Sequence, residues 1–221
     1  MIHRIFSLLT LFVALTAVGS SVRADIIAYD NSVTGGLQNY GGPLGREFDV
    51  LPGQAILVTQ LGVFDNGNAG LLNGVDGSSG IQVAIFARGA GHPQVGPAVT
   101  FTVGSPGTQV NADAFKSISP IYLTSGFQGT IAVVNDGNFN SNGGANASSF
   151  LSGGGAIAFV GTGRYDSGST LIYPTVIDQG PANRYDAGTF AFQVVPEPSS
   201  LVLCGLAAAG LAVAARRRRK S

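Results

Sequence analysis

Residues 61–71 read Leu-Gly-Val-Phe-Asp-Asn-Gly-Asn-Ala-Gly-Leu, and residues 81–87 read Ile-Gln-Val-Ala-Ile-Phe-Ala. In the second stretch Ile81, Val83 and Ile85 occupy every second position, so a strand would place them on one face. The Asn and Gly residues between the two stretches suit a reversal of the chain, because they tolerate turn conformations. The two stretches therefore predict a pair of β-strands joined by a turn.

The same pattern continues over residues 25–195, where short β-branched or aromatic runs alternate with Gly, Asn and Pro clusters. A helical period is nearly absent apart from a possible turn around residues 111–115. Such spacing is typical of an all-β protein, and about nine strands fit a jelly-roll-like β-sandwich. The predicted strands are 26–29, 46–50, 56–64, 81–87, 98–103, 117–123, 129–134, 156–160 and 189–195.

Residues 46–101 contain a strand that ends in Leu-Gly-Val-Phe-Asp, a Gly-Leu loop and a second strand. This arrangement resembles a sandwich domain common in PEP-CTERM proteins. Residues 73–80 lengthen the loop relative to the usual pattern, so no loop function is carried over. The resemblance implies a β-sandwich and implies no biochemical activity.

The N-terminal segment, residues 1–24, has the features of a secretory signal peptide. His3 and Arg4 give a weakly basic start, residues 5–18 are apolar, and Val22-Arg23-Ala24 supplies small residues for cleavage. We expect the mature protein to begin at Asp25, and a membrane helix is the alternative.

The C-terminal segment, residues 195–221, has three parts in order. Pro196, Glu197 and Pro198 form a spacer that cannot join a sheet, and residues 201–215 form an uncharged apolar stretch expected to be a short transmembrane helix. The cations that follow would stay on the cytoplasmic side and stop translocation. They are Arg216, Arg217, Arg218, Arg219 and Lys220.

Together these three parts resemble the PEP-CTERM sorting signal of Gram-negative bacteria. The resemblance implies that an exosortase-type membrane protease recognises the tail near Glu197. Transient insertion in the inner membrane would then be followed by release to the cell surface or an extracellular polysaccharide matrix. A plain anchor is the alternative, but fifteen helical residues span about 22 Å, less than the roughly 30 Å hydrocarbon core. The predicted domain lies between the two tails, at residues 25–194.

The predicted domain is acidic, with eleven acidic and five basic residues in 25–195, although the whole chain has a net charge of zero. This surplus argues against a nucleic-acid partner, whose phosphates must be neutralised by Lys and Arg. The single cysteine, Cys204, lies in the apolar tail, so the domain can form no disulfide and no thiolate site.

The domain lacks the usual catalytic patterns. It has one histidine, His92, in a Gly-His-Pro turn, and one glutamate, Glu47, and it contains no nucleophile elbow and no His-Glu-x-x-His motif. Glycosidases need two carboxylates at a fixed gap, and most of the aspartates here lie in Asx-Gly turns. We therefore expect no catalytic residue and no enzymatic activity.

Calcium is the one cofactor that the composition leaves open, since it binds Asp, Asn and carbonyl oxygens. The candidate ligands in one loop are Asp65, Asn66, Asn68 and Asp76, and residues 135–140 form a second Asn/Asp group. Neither group has the spacing of a known calcium loop, so turn formation is the alternative.

The sequence Arg-Tyr-Asp-x-Gly occurs twice, at residues 164–168 and 184–188. A repeated turn that leads into a strand would explain it, with Asp accepting backbone bonds and Gly taking positive φ. The alternative is a ligand surface built on Tyr165 and Tyr185. Tyr165, Tyr173 and Tyr185 are also the candidates for stacking on a sugar, because the chain has no Trp.

These observations predict a secreted, non-enzymatic surface or matrix protein associated with exopolysaccharide or biofilm. The alternative is a carbohydrate-binding module in which calcium could assist binding.

Overall fold

The computed structural model describes residues 24–30, 38–65, 80–135, 149–150, 153–180, 184–195, 205–210 and 216. Within these residues the chain forms thirteen β-strands and almost no helix. The strands are β1 Ile26–Ile27, β2 Tyr29–Asp30, β3 Leu44–Val50, β4 Ala55–Phe64, β5 Ile81–Ala87, β6 Gln94–Phe101, β7 Thr108–Val110, β8 Asp113–Leu123, β9 Gln128–Val134, β10 Ser149–Phe150, β11 Ile157–Tyr165, β12 Val176–Ile177 and β13 Gly188–Val195.

The strands form two large antiparallel sheets. The five-stranded sheet has the order β1-β13-β4-β8-β7, and the six-stranded sheet has the order β12-β11-β3-β9-β5-β6. Strands β2 and β10 pair separately. Because chain neighbours β3 and β4 lie in different sheets, as do β8 and β9, the chain crosses repeatedly from one sheet to the other. The all-β prediction is confirmed.

The core lies between the two sheets. The Phe48 ring on β3 packs against the Phe190 ring on β13, with ring centroids 4.8 Å apart, and both side chains are fully buried. Ile81, Val83 and Ile85, predicted to share one face of β5, all belong to this core. Burial of such side chains contributes about 1.5–3 kcal/mol each, which suits a domain without disulfides.

The opposite face of β5 is buried as well. Ala84 and Phe86 form a second apolar cluster with Ala132 and Tyr173, against which Leu171 packs. Residues 171–175 therefore cover part of the outer surface of the six-stranded sheet. Period-two alternation predicted one buried face for this strand, and the covering segment, which is distant in sequence, buries the second.

The predicted strand set is largely present, with differences at edges and bulges. Strand β6 begins at Gln94, ahead of the predicted 98. The ladder shifts register near Gly96, which takes φ +77°, and this irregularity interrupts the side-chain alternation on which the prediction depended. Strand β8 begins at Asp113, so the helical turn expected around 111–115 is limited to two turn residues, 111 and 112. The short strands β7, β10 and β12 have too few residues to produce a periodic pattern.

The interior also contains a buried ion pair. Arg46 points inward from β3, and one of its terminal nitrogens lies 2.5 Å from a carboxylate oxygen of Asp186. The guanidinium carbon is 4.6 Å from the centroid of the Tyr29 ring and 5.5 Å from that of Phe159. Pairing with a carboxylate and with aromatic faces offsets the large cost of removing a guanidinium from water.

The described part of the C-terminal segment is helical at residues 205–210, and Arg216 is also helical. These residues are exposed. No helix among the described residues is long and apolar enough to cross a membrane. The rest of the predicted 201–215 helix lies outside the described residues.

Candidate functional site

The outer face of the six-stranded sheet carries a polar cleft of about 400 Å³. Strand β3 supplies its floor, because Glu47 lies between the inward-pointing Arg46 and Phe48 and therefore points outward. Strand β11 lies beside β3 and supplies Arg164. The residues that line the cleft are Glu47, Arg88, His92, Gln128, Arg164, Tyr173 and Thr175.

Glu47 is the centre of the charge network in the cleft. Its Oε1 accepts a hydrogen bond of 2.8 Å from Nε of Arg164 and lies 3.7 Å from Nη1 of Arg88. Arg88 also forms an ion pair with Asp49, two residues along β3. These side chains are 13–29% exposed, so solvent screening limits the energy of each pair. Two arginines against two carboxylates leave the network electrically balanced.

The covering segment 171–175 forms one wall of the cleft. The Tyr173 ring packs edge-on against Phe86, and His92 stacks on it with the ring centroids 3.8 Å apart. Tyr173 is only 6% exposed. Burial raises the pKa of its hydroxyl, which lies 3.5 Å from Glu47. The ring is therefore not open for sugar stacking, although the sequence made it a candidate.

His92 lies in the Gly-His-Pro turn that the sequence contains, but its ring is not fully exposed. It lies in the turn between β5 and β6 with φ +44°, and its ring is half-buried against Tyr173. Its Nδ1 is enclosed and makes no hydrogen bond to the described part of the chain. The imidazole ring, stacked on Tyr173, forms a flat part of the cleft wall.

The lining suits a ligand rich in hydroxyl groups. Gln128, Thr175 and the charged side chains offer planar or rotatable hydrogen-bonding groups, and the balanced charges favour no strongly ionic ligand. The arrangement can bind and orient such a molecule through hydrogen bonds.

The first copy of the repeated motif forms the predicted turn. The Asp166 carboxylate accepts hydrogen bonds from the backbone of Ser167 at 2.8 Å and from the side chain of Thr175 at 2.7 Å. The bond from Thr175, followed by backbone bonds, lowers the pKa of Asp166. Gly168 takes φ +102°, as that turn requires. Tyr165 is 36% exposed and meets the Tyr40 ring edge-on.

The second copy has a different structure. Tyr185 has φ +70°, is only 6% exposed, and donates its hydroxyl hydrogen bond to Asp178. Burial, followed by this bond, raises the pKa of Tyr185. Asp186 pairs with Arg46 in the core. The structure thus does not place Tyr165 and Tyr185 on one exposed surface, because the second tyrosine faces inward.

Asp178 links the second motif to its surroundings. Its carboxylate accepts bonds from the backbone of Gly180 at 2.6 Å and from Arg184 at 2.7 Å, besides the Tyr185 hydroxyl. Burial opposes ionisation, but these three bonds outweigh it and lower the pKa of Asp178. The cluster fixes the left-handed backbone at Tyr185.

Asp65, the first proposed calcium ligand, follows β4 and is 2% exposed. Burial raises its pKa, and its Oδ1 has no hydrogen-bond partner in the described part of the chain. Asn66, Asn68 and Asp76 lie outside the described residues. Among the residues that are described, no three His, Cys, Asp or Glu side chains converge on a metal position. The calcium hypothesis stays a prediction.

Several other predicted residues also lie outside the described part. They are the signal peptide through residue 23, the Pro196-Glu197-Pro198 motif, and the cations Arg217, Arg218, Arg219 and Lys220. The described sheet ends at Val195, which pairs with Ala55, so the motif begins one residue after the last strand.

Comparison with known families identifies this tail. Residues 194–219 match the family described as the PEP-CTERM protein-sorting motif. The chain is therefore a PEP-CTERM motif-containing protein, exported and directed to the cell surface through recognition by exosortase, a membrane protein. No curated protein and no solved structure matches the chain.

Sequence reasoning missed the cleft, although part of the signal was present. Glu47 and Asp49 occupy alternate positions of a predicted strand, where outward-pointing charge is expected. Their partners are far away in the sequence: Arg88 directly follows β5, and Arg164 lies in β11. These four side chains meet only because β3 pairs with β11 on one side and with β9 on the other, and β9 in turn pairs with β5.

Proposed function

We propose that this chain is a non-enzymatic structural or adhesive protein of the cell surface or extracellular matrix, which binds exopolysaccharide through the cleft on its six-stranded sheet. The sorting motif supports the destination. The single observation that carries the binding role is the open polar cleft of about 400 Å³, a size within the usual range for small-ligand sites.

The non-enzymatic part rests on Glu47. This side chain is the only glutamate of residues 25–195, and its Oε1 is already held by Arg164 at 2.8 Å and approached by Arg88. With its carboxylate engaged by two arginines, Glu47 has no second carboxylate partner in the described cleft lining with which to form an acid–base pair. A structural role in ordering the two arginines accounts for its position.

The strand order supports a jelly-roll assignment for the sandwich. Strands β1-β13-β4-β8 in one sheet and β3-β9-β5-β6 in the other follow the connectivity of two interlocked Greek keys. In this assignment β7, β11 and β12 extend the edges. Fold alone does not confer a function, so the ligand argument depends on the cleft.

Delivery in this proposal uses both tails. Residues 1–24 direct export as a signal peptide, and residues 201–215 insert in the inner membrane of a Gram-negative host until exosortase removes the tail. The five-cation end after residue 215 would hold the tail in place from the cytoplasmic side. Fractionation of cells with and without exosortase tests this step: the intact chain should accumulate in the membrane when the protease is absent.

The ligand proposal is tested on a glycan array with the purified 25–195 domain. Arg164→Gln removes the charge and the bond to Glu47, and it should lower binding about tenfold, as the loss of one charge-assisted hydrogen bond predicts. Arg184→Gln, a partly exposed arginine paired with Asp178 outside the cleft, is the matched control and should bind normally. Equal binding by both variants would locate the ligand elsewhere, and polysaccharide cleavage would contradict the non-enzymatic role.

A further inference from the structure

The end of the sandwich from which the sorting tail leaves is built from three interlocked turns. Residues 51–54 join β3 to β4, residues 124–127 join β8 to β9, and residues 153–156 precede β11. The backbone nitrogen of Gly53 donates to Ser125 Oγ at 2.8 Å. The backbone nitrogen of Leu51 donates to the carbonyl of Ala156 at 2.9 Å. We call these three turns the tail-end surface.

The exposed residues of the tail-end surface all have short side chains or none: Pro52, Gly53, Thr124, Ser125, Gly126, Gly154 and Gly155. In the first two turns the carbonyls of Leu51 and Thr124 accept from the residue three positions ahead, and Gly53 and Gly126 take φ +75° and +76°. These are type II turns with glycine at the position that requires positive φ. The third turn contains Gly153, Gly154 and Gly155. The result is a flat surface that another molecule can approach closely.

Among the described residues, most charged side chains lie away from this surface. None of the twelve residues in the three turns is Asp, Glu, Lys or Arg. At the opposite end, Asp65 follows β4 and Asp113 begins β8. Asp30, Asp166 and Asp186 lie at the same end, as their contacts with Asn111, Pro43 and Arg46 show. Asp49, nearest the tail-end surface, is paired with Arg88. The tail-end surface itself thus contains no charged residue, although the domain is acidic.

The length of the connection sets how close that end must come to the protease. Val195 is still paired with Ala55 in the sheet, and the sorting motif starts at the next residue. Two extended residues, 196 and 197, span at most about 7 Å. A protease that engages Glu197 is therefore within about 7 Å of Val195, less than the diameter of a helix with its side chains, and Val195 pairs with Ala55, the residue that follows turn 51–54.

We propose that the tail-end surface is a docking surface for the sorting protease, which contacts the folded sandwich when it engages the Pro-Glu-Pro motif. This inference rests on the proposed processing of the tail. A flat, uncharged surface avoids steric and electrostatic conflict at this distance, and the acidic opposite end is kept away from anionic lipid headgroups. In this proposal the protease requires both the Pro-Glu-Pro motif and adjoining turns without long or charged exposed side chains.

The test uses the full chain produced together with exosortase, with tail removal followed over time. Thr124 is exposed, and Thr124→Arg projects a long cation from the surface. We expect removal to slow about tenfold. Thr108→Arg places the same change on an exposed threonine of β7 near the opposite end, and it should be processed normally. Normal processing of Thr124→Arg would overturn the proposal, since it would mean that the last strand frays or that the end makes no contact.

A spacer provides the second arm. Eight Gly/Ser residues between Val195 and Pro196 add about 16 Å of reach, and they should restore the rate of Thr124→Arg. Failure to restore it would overturn the proposal. A photo-crosslinking residue at position 124 should capture the protease, whereas capture of lipid alone would assign the surface to the bilayer. If no variant loses its tail, including the unmodified chain, the processing itself is wrong rather than the docking surface.

Discussion

Arg46 and Asp186 show what a single residue can determine in this fold. A guanidinium inside a β-sandwich is stable only with its carboxylate partner and the aromatic rings of Tyr29 and Phe159 in place. The pair joins β3 of one sheet to Asp186, two residues before β13 of the other. It therefore helps fix how the two sheets meet, which apolar contacts alone define less strictly.

We expect Asp186→Asn to cost about 3–5 kcal/mol of unfolding free energy, because it leaves a buried cation without its counter-charge. Denaturant unfolding of the 25–195 domain gives the value. The double change Arg46→Met with Asp186→Leu should recover most of the loss. Asp49→Asn, in a pair whose side chains are 17% and 29% exposed, is the control, and a cost as large as that of Asp186→Asn would contradict the argument.

We expect Asp65 to make the stability of the domain depend on pH with the sign opposite to that of most carboxylates. Burial raises its folded-state pKa, so the folded protein binds the proton more tightly than the unfolded chain does. Stability from this group is present below its unfolded pKa and is lost as pH rises through the folded pKa. Asp65→Asn should therefore raise the melting temperature at pH 7 by about 2–4 °C, and the gain should vanish near pH 3. Asp166→Asn, whose carboxylate has a lowered pKa, should instead lose stability at pH 7.

A bound calcium ion would turn the expected gain in stability of Asp65→Asn into a loss. If the loop that starts there binds the ion, calcium in place of chelator should raise the melting temperature of the unmodified domain, by the equivalent of about 2.7 kcal/mol at a hundredfold excess over Kd. Asp65→Asn should then lose that response. An unchanged melting temperature in calcium would remove the metal hypothesis.

At the scale of elements, the covering segment 171–175 connects the core to the cleft. Tyr173 buries the Phe86 ring and also forms a wall of the cleft. Its position depends on Gly45 of β3, where an added Cβ would lie 2.7 Å from Pro174 Cγ and 2.8 Å from Thr130 Cγ2. A side chain at position 45 would push the segment off the sheet.

Gly45→Ala should accordingly destabilise the domain by about 1–3 kcal/mol, the usual cost of overpacking. It should also weaken glycan binding, because Tyr173 and Thr175 move with the segment. Hydrogen exchange at residues 171–177 would show the displacement directly. Gly89→Ala, in the β5–β6 turn with nothing within 4 Å of the added Cβ, should stay within about 0.5 kcal/mol. Equal effects of the two changes would contradict this account.

At the scale of the whole molecule, the C-terminal strand is central. Strand β13 lies between β1 and β4 in its sheet and contributes Phe190 and Phe192 to the core. The sorting tail is thus attached to a strand that the domain cannot lose. Processing after Val195 leaves this strand intact.

Truncation tests that statement. The 25–195 domain should unfold cooperatively in a thermal scan, whereas 25–187, which lacks β13, should show no folded baseline. The physical reason is that removing β13 leaves β4 unpaired on one side and opens the core where Phe48 meets Phe190. A cooperative transition for 25–187 would show that the sheet closes without its last strand.

The sequence by itself determined the class of fold, the buried face of β5 and the sorting tail. Each is encoded locally, by alternation of side chains or by a motif in consecutive residues, as in Ile81, Val83 and Ile85. Only the tertiary structure decided the second buried face of β5, the inward orientation of Tyr185, the Arg46–Asp186 pair and the cleft around Glu47. These features join residues up to about 140 positions apart, and strand pairing over such separations leaves no periodic trace in the chain.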